Sequence, residues 1–145
     1  LEKTNHFLKN LLSLVQKLSA DLSNSSANAI ASKSFLNPLV KPGEAPLFLA
    51  NVTFEPGCRN NWHIHHAKRG GGQMLICTAG EGYYQEEGKP VVHLKPGMVV
   101  TIPAGVKHWH GATATSYFSH IAFEIPGEET SNEWLEPVHN ELYSD

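Results

Sequence analysis

The segment Trp62–His66 constrains the fold more than any other, because it places three histidines within four positions. Side chains alternate between the two faces of a β-strand, so His63 and His65 point one way on a strand and His66 points the other. Two imidazoles on one face, two residues apart, can bind the same ion. The chain has nine histidines in 145 residues, and this cluster predicts a strand that carries two ligands of a metal site.

The pattern around this segment predicts an all-β fold. Short apolar runs recur every eight to twelve residues or so, separated by Gly, Pro or Asn, which is typical of a sandwich or barrel. We expect eight strands, over Leu47–Phe54, Asn61–His65, Gly72–Ala79, Gly82–Glu86, Val91–Leu94, Met98–Ile102, Lys107–His110 and Ser116–Glu124.

The two ends of the chain depart from this pattern. Residues 4–22 are predicted to form an amphipathic helix, because their leucines and Val15 recur at spacings of three and four. A linker rich in Ser, Asn and Ala follows the helix. We therefore expect three parts: the helix and linker over 1–33, the β domain over 34–126, and an acidic tail over 127–145 that packs on that domain.

Composition argues against several classes of partner. The net charge is −3 and no run of Lys or Arg occurs, so nucleic acid is not expected as a partner. No stretch reaches the roughly 18–20 apolar residues that cross a membrane. Cys58 and Cys77 cannot form a disulfide framework, and two free thiols fit a reducing cytoplasm. The leucine stripe of the helix needs cover, which favours a lid on the domain or a homodimer contact.

A metal site can be assembled from several of the predicted strands. Gln73 lies on the strand after His63 and His65 and can offer its amide oxygen. His108 comes from a strand far away in sequence, and His110 shares its face by alternation. Three neutral nitrogens and one oxygen suit a borderline divalent ion such as Mn, Fe, Ni, Zn or Cu. With three or four protein ligands, positions remain open for water or substrate, as in catalytic sites.

These residues resemble the two sequence motifs of the cupins. The first motif is matched, in order and spacing, by Gly57, His63, His65, Gln73 and Gly80. The second motif is matched in the same way by Gly97, Pro103, Gly105 and His108. The resemblance covers about residues 36–125. It implies a double-stranded β-helix, the jelly-roll-like cupin barrel, here with an added N-terminal amphipathic helix, and such barrels often pair as homodimers.

Two departures narrow the resemblance to one group of cupins. Gln73 stands where most cupins have Glu, after a loop added by Gly70–Gly72, and Ala112 stands where the second motif often has Asn. Together with the run His-Trp-His-Gly-Ala that begins at His108, these features are similar to small single-domain cupins that include the manganese-dependent hydroxynitrile lyases. The resemblance implies that the metal ligands are His63, His65, Gln73 and His108. Manganese is the implied metal, and Fe, Zn and Ni stay open.

The same resemblance implies a catalytic role for two further histidines. In that group two histidines line the pocket and one serves as base, and here they match His110 and His120. The chemistry of such a site is consistent with this role. A neutral Gln73 leaves the ion more Lewis acidic, and a nearby histidine can remove a proton from a bound hydroxyl. His120 and His110 are both open as that base.

We therefore predict a metal-dependent, lyase-like enzyme that acts on a small oxygen-bearing molecule. Carbon–carbon cleavage, the reverse addition to an aldehyde and enolisation all suit this chemistry. One alternative is an Fe-dependent dioxygenase on the same ligands. Another is a metal-holding or small-molecule-binding cupin without turnover. A fold does not determine function, so the choice depends on the site.

Overall fold

The described part of the chain, residues 33–40 and 44–139 of a computed structural model, consists of β-strands and connecting turns without a helix. The strands, in chain order, are β1 Ser34–Pro38, β2 Leu49–Phe54, β3 His63–His66, β4 Arg69–Gly70, β5 Gln73–Gly80, β6 Gly82–Glu86, β7 Val92–Leu94, β8 Val99–Ile102, β9 His108–Ala112, β10 Phe118–Glu124, β11 Gly127–Glu128 and β12 Ser131–Trp134. The predicted all-β class is confirmed. The helix predicted over 4–22 lies outside the described residues.

Two five-stranded antiparallel sheets form the domain. One has the strand order β1-β2-β10-β5-β8 and the other has the order β12-β3-β9-β6-β7. All eight predicted strand regions contain strands. Strands β1 and β12, which extend the two sheets, lie outside the predicted strands. No helix in the described residues is long and apolar enough to cross a membrane.

The main apolar core draws on both sheets. Leu75 on β5 and Phe118 on β10 come from the first sheet, and Tyr84 on β6 and Leu94 on β7 come from the second. Leu75, Leu94 and Phe118 have no exposed surface. Burying one such side chain contributes on the order of 1.5–3 kcal/mol, so this shared cluster holds the sheets together.

A second apolar cluster lies on the other face of the histidine-bearing sheet. Trp62, Tyr83, Trp109 and Val138 are buried together, and Leu135 packs against them. Alternation explains this arrangement, because Trp62 and Trp109 are next to His63 and His108 and therefore point away from them. Residues of the acidic C-terminal segment thus cover the back of the sheet that carries the histidines.

The glycine loop after β3 is fastened to the segment that follows β10. Its short strand β4 pairs with β11, and the Gly71 amide donates to Pro126 O over 3.1 Å. Gly72 has φ +98°, and a Cβ there would lie 2.3 Å from Ile102 O. Only glycine fits such a position without strain. The loop therefore leads directly into β5, whose first residue is Gln73.

Candidate metal centre

Sheet register brings two histidines from distant parts of the sequence side by side. His63 on β3 is the direct antiparallel partner of His108 on β9, and their ring centroids are 4.1 Å apart. Trp134 on β12 is the partner of His63 on its other side and stacks on its ring at 4.8 Å. Paired residues of neighbouring strands project to the same face, so the three rings form one row.

His65 and Gln73 complete the group from two directions. The His65 ring lies 5.3 Å from that of His63 and 5.6 Å from that of His108, centroid to centroid. Gln73 belongs to the opposite sheet, where β5 pairs with β10 and β8. Both side chains are buried. The described structure provides no hydrogen-bond partner for Gln73 Oε1 or for His65 Nε2.

Backbone carbonyl groups orient two of the histidines in the same way. His63 Nδ1 lies 3.0 Å from Asn61 O, and His108 Nδ1 lies 2.9 Å from Val106 O. A carbonyl oxygen can only accept, so each Nδ1 carries a proton and donates it. Each Nε2 is then left with a free lone pair. This is the arrangement of metal-binding histidines, whose other nitrogen donates to a carbonyl or carboxylate.

A carboxylate faces the corresponding nitrogen of His65. Glu124 Oε1 lies 3.7 Å from His65 Nδ1, and the Asn132 amide donates to the same oxygen over 2.6 Å. The negative charge favours a proton on Nδ1 and therefore a lone pair on Nε2. His63, His65 and His108 thus all carry their ring proton on Nδ1. In His63 and His108 a backbone carbonyl faces this nitrogen, and in His65 the side chain of Glu124 does.

His110 lies close to the other histidines but is held differently. Ligand atoms of His63, His108 and His110 lie within 4.8 Å of one another, so by distance alone these three could hold a metal ion. The His110 Nε2, however, lies 3.1 Å from Asn60 Nδ2. The backbone amide of His110 also donates to Asn60 Oδ1 over 2.9 Å. His110 is therefore attached at two points to a side chain from the segment before β3.

His120 comes from β10 in the opposite sheet. Its ring contacts that of His110 edge-on at 4.9 Å and lies between the rings of Phe118 at 5.0 Å and Phe54 at 5.9 Å. The side chain is fully buried. Neither ring nitrogen has a hydrogen-bond partner among the described residues.

Burial keeps these histidines neutral. Desolvation is the largest cause in each case, and it lowers the pKa of His63 to about 3 and that of His108 to about 4. Desolvation also lowers the pKa of His120 to about 3, and those of His65 and His110 shift in the same direction. Neutral imidazole is the form that binds metal ions, so the ligands need no deprotonation near neutral pH.

A cavity of about 480 Å³ adjoins the cluster. Its polar lining includes Asn60, His63, His65, Gln73 and His110. Its apolar lining includes Leu36, Phe48, Val52, Phe54, Phe123 and Trp134. This combination of apolar side chains and convergent polar groups is typical of a site for a small molecule. His120 is not among the lining residues.

The residues fit a divalent metal ion. The buried atoms left without a partner in the described structure include three acceptors that a metal needs: His108 Nε2, Gln73 Oε1 and His65 Nε2. Leaving a buried polar atom unpaired costs about 1–3 kcal/mol, so three such acceptors in one group indicate a missing ligand. Nitrogen and neutral oxygen donors suit borderline divalent metals.

Known proteins share this domain. Residues 50–121 match the cupin domain. Over 109 residues the chain is 42% identical to the (R)-mandelonitrile lyase of Granulicella tundricola, an alignment that covers 74% of this chain and 80% of that enzyme. The chain belongs to the cupin family. The resemblance predicted from the two motifs is confirmed.

Solved structures agree with this assignment. The cupin resembles a cupin-like protein from Thermotoga maritima with a TM-score of 0.66 and 38% identity, over 82% of this chain and 90% of that one. It also resembles a DMSP lyase from Ruegeria pomeroyi with a TM-score of 0.58, over 82% of this chain and 59% of that one. The identity to that lyase is 22%, so the likeness concerns the fold alone.

The cupin brings most of the predicted site residues to one place. Ring contacts link His63, His65, His108 and His110, and Gln73 lines the same cavity as three of these. His120 touches this group through His110. His66 points away, as alternation predicts, and its Nε2 lies 2.7 Å from Glu133 Oε2.

Three residues of the site are not indicated by any pattern in the sequence. Asn60, Glu124 and Trp134 each contact a histidine of the cluster. Asn60 is close in sequence to the strand that His63 and His65 identify, but only the pairing of strands shows what Asn60 and Trp134 face. The predicted tail of residues 127–145 supplies Trp134, which is 63% exposed and carries no pattern of a buried strand.

Proposed function

We propose that this cupin is a metal-dependent lyase that cleaves a cyanohydrin of the mandelonitrile type into an aldehyde and hydrogen cyanide. The observation that carries the proposal is the set of buried, neutral histidines whose Nδ1 atoms face acceptors and whose Nε2 atoms are free. The 42% identity to an (R)-mandelonitrile lyase supports the choice of reaction.

The proposed metal ligands are Nε2 of His63, His65 and His108 together with Oε1 of Gln73. Manganese is the proposed ion. When bound, a divalent ion supplies Lewis acidity to a substrate oxygen. Gln73 is neutral, so the ligand set adds no negative charge that would reduce this acidity. His110 is not a proposed ligand, because its Nε2 lies 3.1 Å from Nδ2 of the Asn60 amide.

The protein side of the reaction involves binding and proton transfer. The apolar lining, including Phe54 and Trp134, holds the organic part of the substrate. A histidine of the His110–His120 pair takes the hydroxyl proton. The carbon–carbon bond to the nitrile then breaks, the carbonyl forms, and cyanide leaves with the bonding electrons and gains a proton. Both histidines are neutral near pH 7 because burial lowers their pKa values.

Metal-dependent release of benzaldehyde from mandelonitrile tests this proposal. Protein stripped of metal and reloaded with Mn²⁺ is expected to release benzaldehyde, and the metal-free protein is not. His108→Ala is expected to lose both metal and activity. His66→Ala is the matched control, because His66 points to the surface and pairs with Glu133. Oxygen uptake with an Fe²⁺-loaded preparation, and no benzaldehyde with any metal, would favour the dioxygenase alternative and refute the lyase.

The setting of the enzyme is also a proposal. Cys58 and Cys77 are buried free thiols in the described structure. Burial raises the pKa of both, so neither is a reactive thiolate at neutral pH. We propose a reducing compartment such as the cytoplasm.

A further inference from the structure

Asn60 and His110 are joined by a two-point hydrogen-bond clamp. The His110 backbone amide donates to Asn60 Oδ1 over 2.9 Å, and Asn60 Nδ2 lies 3.1 Å from His110 Nε2. The Asn60 backbone amide also donates to His110 O over 3.1 Å. These contacts fasten the segment before β3 to β9 at the histidine that lines the cavity.

The clamp determines which way the Asn60 amide points. A backbone N–H can only donate, so the atom that faces it must be the amide oxygen. The NH₂ group then faces His110 Nε2. The opposite orientation would place the NH₂ group against the backbone N–H and lose one of the two bonds. The hydrogen-bond network therefore settles an oxygen and nitrogen assignment that is ambiguous for an isolated amide.

The orientation of Asn60 in turn places the proton on the imidazole ring. The NH₂ group has hydrogens and no lone pair to offer, so it donates and His110 Nε2 accepts. A neutral imidazole with an acceptor at Nε2 carries its proton at Nδ1. His110 is buried, and its Nδ1 has no hydrogen-bond partner within the described residues. This nitrogen can therefore donate to a bound molecule.

His63 and His108 differ from His110 in which ring nitrogen has a hydrogen-bond partner. Nδ1 of His63 and of His108 each face a carbonyl oxygen, which leaves a lone pair on Nε2. In His110 the Nε2 lone pair is occupied by Asn60 and Nδ1 has a hydrogen. His110 is therefore unsuited both to bind a cation and to accept a proton, although it lies as close to the cluster as the ligands do.

We infer that Asn60 is a positioning residue that holds His110 in the Nδ1–H tautomer, in which the imidazole donates a hydrogen bond to the substrate oxygen. This role rests on the proposed function, whereas the tautomer does not. In this tautomer His110 is not the base that removes the substrate proton. His120, whose ring contacts that of His110 edge-on but does not line the cavity, is the other candidate.

The tautomer can be read directly by two-bond ¹H–¹⁵N NMR of the histidine rings. The protein is loaded with diamagnetic Zn²⁺ and measured at pH 8, above the ordinary histidine pKa of about 6.5. The His110 signals are identified by their loss in His110→Gln. His93 is an internal reference of the opposite kind, because its Nε2 lies 2.8 Å from the Glu81 carboxylate. The expected His110 pattern is a protonated Nδ1 and an unprotonated Nε2.

Two substitutions at Asn60 separate the clamp from general effects. In Asn60→Asp a carboxylate faces Nε2 and accepts, so the proton is expected to move from Nδ1 to Nε2. In Asn60→Ala both side-chain bonds are lost, and a mixture of tautomers is expected. Thr115→Asp is the control, because it adds the same charge on an exposed loop and should leave the His110 pattern unchanged.

Activity gives a second, independent readout. Asn60→Asp is expected to lower kcat for mandelonitrile cleavage on the order of 10²-fold, the effect of losing one hydrogen-bond donor to a reacting oxygen. A wild-type spectrum with the proton on Nε2 of His110 would overturn the inference, whether or not any variant folds. A wild-type Nδ1–H pattern without mandelonitrile cleavage would instead contradict the proposed function and leave the tautomer intact.

Discussion

Replacing His120 by leucine should make the protein less sensitive to acid. His120 is fully buried between the rings of Phe54 and Phe118, and neither nitrogen has a partner among the described residues. Burial lowers its pKa to about 3. The unfolded chain, where the pKa is about 6.5, therefore binds a proton first as the pH falls. Stability from this group is complete above pH 6.5 and decreases towards pH 3.

The size of the effect follows from the pKa difference. One pKa unit corresponds to about 1.4 kcal/mol. At pH 4 the pH is about 2.5 units below the pKa of the histidine in the unfolded chain, so that histidine is protonated, whereas folded His120 is still neutral. This residue alone therefore reduces the free energy of unfolding by about 3 kcal/mol relative to pH 8. His120→Leu removes that contribution. It also removes two unpaired buried nitrogens, which cost about 1–3 kcal/mol.

Urea unfolding of the metal-free protein between pH 4 and pH 8 measures the difference. The free energy of unfolding of wild type minus that of His120→Leu should become more negative by about 3 kcal/mol on going from pH 8 to pH 4. The other buried histidines are present in both proteins, so their contributions largely cancel. Parallel curves for the two proteins would show that His120 does not contribute to the acid sensitivity. Mn²⁺ content should be unchanged in the variant, while turnover should be lost if His120 is the base.

Three further predictions concern the metal site, the core and assembly. Gln73→Glu should tighten Mn²⁺ binding, because it adds a negative charge to the ligand set, and should lower kcat; titration calorimetry showing weaker binding would contradict Gln73 as a ligand. Leu75→Ala should reduce the free energy of unfolding by about 2–5 kcal/mol in urea, since Leu75 has no exposed surface; a loss below about 1 kcal/mol would count against the described core. The protein should sediment as a homodimer in analytical ultracentrifugation, and a monomer at all concentrations would refute that proposal.

The histidine-bearing sheet is the part of the fold that the sequence predicts best. Alternation along β3 separates His63 and His65 from His66, and the structure bears this out, with the first two buried and His66 at the surface. Regular spacing of Gly and Pro marks the central strands well, because each turn needs residues that tolerate unusual backbone conformations. The local sequence pattern is sufficient to predict a strand that has one buried face.

Strands β1 and β12 show where such patterns fail. All four residues of β12 are exposed, so no alternation of apolar and polar side chains marks this strand. Its position depends on backbone pairing with β3, in which Trp134 is the partner of His63. β1 begins at the end of a Ser-rich segment and ends on Pro38. Both are edge strands, whose formation depends on a neighbour that is distant in sequence.

The site, like the fold, can be predicted from the sequence only in part. The candidate ligands can be proposed from residue type and spacing, because metals prefer histidine and cupin motifs are short. The roles of the individual rings cannot be proposed from the sequence, since they depend on which group faces each ring nitrogen. Asn61 and Val106 present carbonyls to His63 and His108, whereas Asn60 presents an amide to His110. These differences appear only after the strands have paired.

Anomalous diffraction from crystals grown with Mn²⁺ tests the proposed metal site most directly. We expect one ion bound by Nε2 of His63, His65 and His108 and by Oε1 of Gln73, at roughly 2.0–2.2 Å. His110 is expected outside this ligand set, with Nε2 still facing Asn60. An ion coordinated by His110, or crystals without an anomalous peak in the cavity, would contradict the proposed site.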